Sequence, residues 1–201
     1  MKRDEAALLL SELDLEAQLH LCHEDPMFFD GRCLFGQCGA AQSHLRRQGV
    51  GFGDVFLFFG LFADEISGER HHRLYGYMRV DSMIEGDALR LDHGVIQAAP
   101  RLHPHTMGEW NANNCLYVGS GKLAANTDPR LRLTTGGGPL RLWDVPPWLP
   151  ETGLSYHGRP ERWRDGGQLE IVSRGQEFVA NIGEREEPCR WLDDVIEAIE
   201  G

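Results

Sequence analysis

The chain has 201 residues, and its shares of apolar residues (41%) and charged residues (25%) are ordinary values for a folded globular domain. Its formal net charge of -11 argues against a general nucleic-acid coat protein, because binding along the phosphate backbone requires a basic surface. A local basic patch is compatible with this charge. The candidates for such a patch are Arg46, Arg47, Arg159, Arg162 and Arg164. Taken singly, each of these arginines is better explained as a solvated surface position.

The cysteines predict a reducing compartment. They are odd in number, no pair has CxxC spacing and no signal-peptide pattern precedes them, so we expect reduced thiols in a cytoplasmic protein. They are Cys22, Cys33, Cys38, Cys115 and Cys189. No apolar run approaches the roughly 20 residues needed to span a bilayer, so we predict no membrane partner.

The first predicted element is an amphipathic helix. Leucines recur at helical spacing over residues 4–21, and Pro26 ends the helical pattern because proline disfavours helix at the residue before it.

Residues 35–62 predict a helix followed by a strand, and we interpret this unit as the centre of the fold. Small and apolar side chains share one helical face, and Gly49 stands where a left-handed C-cap is expected. Residues 55–62 are apolar throughout, which is typical of a strand that is covered on both faces. Gly60 within this run predicts a bulge, or the close approach of another backbone or a ligand.

The later elements are mainly strands. Residues 74–80 alternate with period two and predict a strand that pairs antiparallel with residues 55–62. A helical segment over 88–98 and a helix with one apolar face over about 188–199 are also predicted. Further strands are predicted at 116–118, twice within 130–145, near 168–173 and near 176–180.

Three histidines and one glutamate are candidates for acid and base chemistry. His103 and His105 flank a proline, and in an extended chain their rings lie on one face, where His157 could add a third imidazole. Three histidines can hold a catalytic zinc ion, but no HExxH motif or cysteine pair supports that interpretation. We therefore favour hydrogen-bonded loop histidines and predict no metal. Glu177, alone on one face of a predicted strand, is the candidate general base.

A second set of side chains is suited to holding a base. Amide side chains can bond a base edge bidentately, and loop aromatics such as Trp110 can stack on a base. The predicted ligand-binding residues are Gln37, Gln42, His44, Asn114, Tyr156, Arg162 and Gln176. Helix caps, turns and core packing explain the same residues equally well. We further predict that His44 converges with the three catalytic candidates into one site.

Several short motifs together carry a family resemblance. They are FGQCGAAQSHL, GDVFLFFGLF, LHPH, NNCLYVGS, LSYH..PERW and RGQEFV, which lie between about residues 35 and 195. This set resembles the nucleotide modification associated domain 3 family, whose link to modified bases in DNA is contextual. Members of that family begin with a strand-bearing segment rich in Gly, Ser and Asp, whereas this chain begins at a predicted helix. The resemblance therefore implies a version that is shortened at its N-terminus. If the absent segment completes the site, this version is truncated, inactive or dependent on a partner.

The hairpin of residues 55–62 and 74–80 also resembles the central hairpin of PUA-like barrels, several of which read modified bases. We predict one α+β domain over residues 1–201, with a mainly antiparallel, curved sheet, PUA-like in form, and terminal helices.

The resemblance implies recognition or processing of a modified base, nucleotide or nucleic acid, with partner proteins from a modification or defence system. A binding module without enzymatic activity, or an interaction subunit, is the alternative. The sequence identifies no cofactor.

Overall fold

The computed structural model describes residues 24–90, 94–172 and 177–201, and within them the chain folds as an α+β protein, as predicted. A five-stranded antiparallel sheet has the strand order β1-β2-β5-β4-β3. Its strands are β1 (Met27–Phe29), β2 (Arg32–Gln37), β3 (Val55–Ala63), β4 (Arg70–Glu85) and β5 (Cys115–Leu123). The helix predicted over residues 4–21 lies outside the described residues.

A smaller antiparallel sheet and several helices complete the described fold. The small sheet has the order β6-β8-β7, with β6 at Leu142–Asp144, β7 at Trp163–Arg164 and β8 at Gln168–Glu170. The α-helices are α1 (Gly39–Arg47), α2 (Gly94–Gln97), α3 (Leu149–Thr152) and α4 (Glu186–Glu200). Single 3-10 turns cover Gly86–Arg90, Pro104–Thr106, Pro129–Leu131 and Pro160–Arg162.

The predicted hairpin is confirmed, and its first strand is covered on both faces only in its first half, where Phe56 and Phe58 pack in one cluster and Leu57 and Phe59 in another. Strand β3 pairs antiparallel with β4, with Val55 opposite Arg79, and a register shift falls between Phe58 and Phe59. β3 is nevertheless an edge strand of the sheet. The second half of β3 pairs with the first residues of β4, which precede the part of β4 that pairs with β5. Phe62 in this half is 40% exposed. The buried middle strand is β5.

The core lies on the two faces of the large sheet. On one face, the ring of Phe58 contacts Phe28 and Phe35 edge to face. On another side, helix α4 packs its apolar face, including Ile199, against Leu74 of β4. Two of the helices predicted from periodicity, α1 and α4, are therefore confirmed. Helix α4 buries an apolar face, whereas α1 buries Gln42, His44 and Leu45.

Two predicted strands are wrong. In the segment 130–145 only Leu142–Asp144 is a strand, and Leu131 lies in a 3-10 turn that the Asp128 side chain caps. Residues 177–180 form no strand and instead bond to the loop at Ser155 through Val179. Alternating side chains satisfied the strand pattern in both segments. The first makes only isolated bridges to β4 and β6, through Arg132 and Thr134, and the second bonds to a loop. No strand pairing among the described residues closes the large sheet into a barrel.

Candidate functional site

A cavity of about 330 Å³ opens beside the buried His105, at the edge of the large sheet where β4 ends and β5 begins. The Gly86–Arg90 turn forms one side, and the loop between Pro104 and β5 forms the other. The residues that line the cavity include His105, Trp110, Asn111, Asn114 and Asp87.

The position of His105 is set by its local backbone. Pro104 starts a 3-10 turn whose first N–H groups need acceptors, and Nδ1 of His103 accepts from the backbone N–H of His105 at 3.2 Å. The HPH segment is therefore a capped turn and not the extended chain that was predicted. The two rings are tilted by 48°, with their centroids 5.8 Å apart.

Asn114 and Trp110 fix the imidazole of His105. Nδ1 of His105 lies 2.5 Å from Oδ1 of Asn114, while the Asn114 Nδ2 donates to the backbone carbonyl of His105 at 2.8 Å. The indole of Trp110 stacks on the imidazole with centroids 4.0 Å apart and a 14° interplanar angle. Both rings and the amide reach the cavity wall. His105 and Asn114, predicted separately as a catalytic and a ligand-binding residue, thus belong to one arrangement.

Asp25 completes this arrangement from the segment before β1. Its side chain is only 5% exposed, and Oδ1 accepts from the backbone N–H of Gly36 at 2.9 Å. Nε2 of His103 lies 3.4 Å from Oδ1, and Nε2 of His105 lies 3.5 Å from Oδ2. We refer to Asp25, His103, His105, Asn114 and Trp110 as the His105 cluster. Asp25 was missed from the sequence because its role depends on the pairing of β1 with β2 and not on a local motif.

His44 and His157 are held by Ser155 in a second arrangement. Nε2 of His44 lies 3.0 Å from Oγ of Ser155, and Tyr156 stacks on the His44 ring at 4.2 Å. Tyr156 is 46% exposed and has a φ of 67°, an uncommon value for a residue other than glycine. The contacts thus associate His44 with His157 and Tyr156, and His103 with His105, and the convergence of the two pairs into one site stays a prediction.

The hydrogen bonds of His157 define its role. Nδ1 donates to the carbonyl of Ser155 at 2.8 Å, and Nε2 accepts from the backbone N–H of Val172 at 3.1 Å. Burial lowers the pKa of this imidazole, which keeps it neutral. Both ring nitrogens of His157 are engaged by backbone, which is the pattern of a structural histidine.

The remaining predicted site residues are dispersed. Gln42 is buried and accepts from the Tyr117 hydroxyl at 3.0 Å, and burial raises the pKa of Tyr117 to about 12. Gln37 ends β2, opposite Cys115. Arg162 donates to the Glu170 carbonyl at 3.0 Å.

Glu177 lies in the irregular segment beside Ser155, so the strand that motivated its role as a base is absent there. Gln176 lies outside the described residues.

The described residues contain no group of three or more His, Cys, Asp or Glu side chains placed to hold a metal ion. None of the helices within residues 24–90, 94–172 and 177–201 has the length and apolar character that a membrane span requires.

Comparison with known proteins identifies a family. The family described as nucleotide modification associated domain 3 matches residues 2–181, a span that includes both arrangements of histidines. No curated protein and no solved structure matches the chain.

Proposed function

The chain belongs to the nucleotide modification associated domain 3 family, and on that premise we propose that it recognises a nucleobase in the cavity beside His105. The single observation that carries this proposal is the composition of the cavity wall, which contains the Trp110 indole and the amides of Asn111 and Asn114. A flat aromatic ring can stack on any base, and amides can bond a base edge.

The size of the cavity favours one base over a longer ligand. Its volume of about 330 Å³ is at the small end of the range of about 300–1,000 Å³ that ligand sites occupy. A single base, or a base with its sugar, suits this volume. A base within a strand would have to leave the stack to enter it, as bases do in enzymes that act on them.

The charges favour a base over a phosphate group. No lysine or arginine occurs among the described residues that line the cavity. The candidate basic patches are largely neutralised, since Arg46 pairs with Glu85 and Arg164 pairs with Glu170. A phosphate-directed site needs the opposite arrangement, with cations turned towards the ligand.

Calorimetric titration with ordinary and modified nucleosides tests the proposal. We expect saturable binding of at least one nucleoside to the purified chain, weakened at least tenfold in Asn111→Ala. Asn111 is exposed, so its truncation should leave the fold intact. Asn181→Ala removes an equally exposed amide elsewhere and serves as the matched control. Equal affinities in the two variants, or no binding of any nucleoside, would contradict the proposal.

Chemical processing of the bound base is the second candidate, and the contact between Asp25 and His105 favours it. A buried carboxylate beside an imidazole at a cavity wall is a common arrangement for proton transfer. Mass spectrometry of nucleosides from cells with and without the gene tests this candidate. A modified nucleoside that depends on the gene and is lost in His105→Gln supports processing, and identical nucleoside profiles leave recognition as the function.

A further inference from the structure

The hydrogen bonds around His103 define which of its nitrogens carries a proton. Nδ1 of His103 accepts from the backbone N–H of His105, so this nitrogen has a free lone pair and no proton. Nε2 of His103 lies 3.4 Å from Oδ1 of Asp25, but it has no hydrogen-bond partner among the described residues.

The bonds of His105 lead to a different protonation state. The Asn114 Nδ2 donates to the backbone carbonyl of His105, which turns Oδ1 of Asn114 towards Nδ1 of the same residue. Two acceptors would repel at 2.5 Å, so Nδ1 carries a proton. Nε2 then faces Oδ2 of Asp25 at 3.5 Å, and a lone pair there would face a buried anion.

From these bonds we infer that Asp25 holds His105 as an imidazolium cation and is the residue that fixes the charge of the cavity wall. Oδ1 of Asp25 accepts from the backbone N–H of Gly36, which leaves Oδ2 to face His105. Between a carboxyl and an imidazole, the proton belongs on the more basic imidazole. The Trp110 ring stacked on His105 is a further favourable neighbour for a cation.

The other charged groups near His105 are compatible with this assignment. On the preceding segment Glu24 pairs with Arg101, and on the opposite cavity wall the lining carboxylate is Asp87. On its own turn the neighbour is His103, whose Nδ1 accepts from the backbone N–H of His105. Within the described residues, Oδ2 of Asp25 lies 3.5 Å from Nε2 of the ring.

A resting imidazolium changes the chemistry open to the site. His105 cannot act as a base until it loses its proton, so in any reaction it begins as a proton donor or a fixed positive charge. Asp25 is then a positioning residue, because it acts on a ligand only through His105. The inference depends on the His105 cluster alone and holds whether or not a base is the ligand.

Long-range ¹H–¹⁵N correlation spectra of the histidine-labelled full chain test the inference. At about pH 8, where an ordinary imidazole is neutral, both nitrogens of His105 should be protonated. His157 is the internal control, since it is equally buried but should carry a proton on Nδ1 alone. His105→Gln assigns the signals, and a wild-type His105 with one unprotonated nitrogen at this pH would overturn the inference.

Asp25→Asn provides the second test. The amide retains an acceptor for the Gly36 N–H but loses the charge, so Nε2 of His105 should be deprotonated at about pH 8 in this variant. An unchanged His105 titration in a folded Asp25→Asn chain would also overturn the inference. If this variant does not fold, the wild-type spectra decide, and a failure to bind nucleosides would bear only on the proposed function.

Discussion

Gly36 on β2 and His105 fit together so closely that no side chain can stand between them. A β-carbon built on Gly36 would lie 2.2 Å from Cδ2 and 2.3 Å from Cγ of His105. The backbone N–H of the same glycine also donates to Asp25. One residue of the sheet therefore positions both members of the Asp25–His105 pair.

Gly36→Ala should displace His105 and damage the site. We expect a loss of about 1–3 kcal/mol in the free energy of unfolding from overpacking, measured by urea denaturation, together with the loss of nucleoside binding. Gly136→Ala is the matched control, because a β-carbon there meets nothing within 4 Å. An alanine at position 36 that left both stability and binding unchanged would show that His105 does not lie against this strand.

Phe58→Ala tests the aromatic part of the core. Phe58 is 8% exposed and contacts several other rings, so its truncation should cost about 3–5 kcal/mol in the free energy of unfolding. Phe52→Ala removes a phenylalanine that is 83% exposed, so it should change the free energy of unfolding by less than about 0.5 kcal/mol. Similar midpoint shifts in the two variants would contradict the assignment of Phe58 to the core.

His157 should make the protein less stable in acid. Burial lowers its pKa in the folded state below the ordinary value of 6.5, so the unfolded chain binds the proton more readily. Its contribution to stability is full above about pH 6.5 and is lost as the pH falls through the folded-state pKa. In His157→Gln, urea midpoints at about pH 7.5 and about pH 5.5 should therefore differ less than in the wild type. An equal difference in both proteins would refute this origin of the acid sensitivity.

Duplex DNA should bind weakly and with little dependence on salt. Arg162 donates to the Glu170 carbonyl, while Arg141 and Arg164 pair with the carboxylate of the same glutamate, whose pKa they lower. Each phosphate contact contributes roughly -0.9 to the slope of log affinity against log salt, so we expect a slope shallower than about -1. Glu170→Gln should release the arginines and steepen it. A steep slope in the wild type, lost in Arg162→Ala, would instead favour a reader of the DNA backbone.

Local sequence patterns were sufficient for the elements that bury one face. Helices α1 and α4 and the β3–β4 hairpin follow from periodicity, because each pattern describes contacts within a few turns or across one hairpin. The place of β3 at the sheet edge could not be predicted in this way, since strand order depends on pairings between distant segments. An apolar run such as residues 55–62 has the same pattern in a central strand and in an edge strand.

Part of the candidate site is also local in sequence, whereas the rest depends on pairings between distant segments. His103, His105 and Asn114 lie close in sequence, and the structure brings these three side chains into contact. Asp25 reaches His105 only through the pairing of β2 with β5 and β1, and nothing in its local sequence marks it. Conversely, His157 lies in a motif of similar appearance, yet its two backbone bonds give it a structural role.

Recognition of a nucleobase beside His105 is tested most directly by a nucleoside titration followed by ¹H–¹⁵N spectra of the labelled chain. The cavity beside His105 predicts saturable shifts with one dissociation constant at the Trp110 indole N–H and at the side-chain amides of Asn111 and Asn114. Shifts confined to the region of Tyr156 and Arg162, or no saturable shift with any ordinary or modified nucleoside, would contradict the claim.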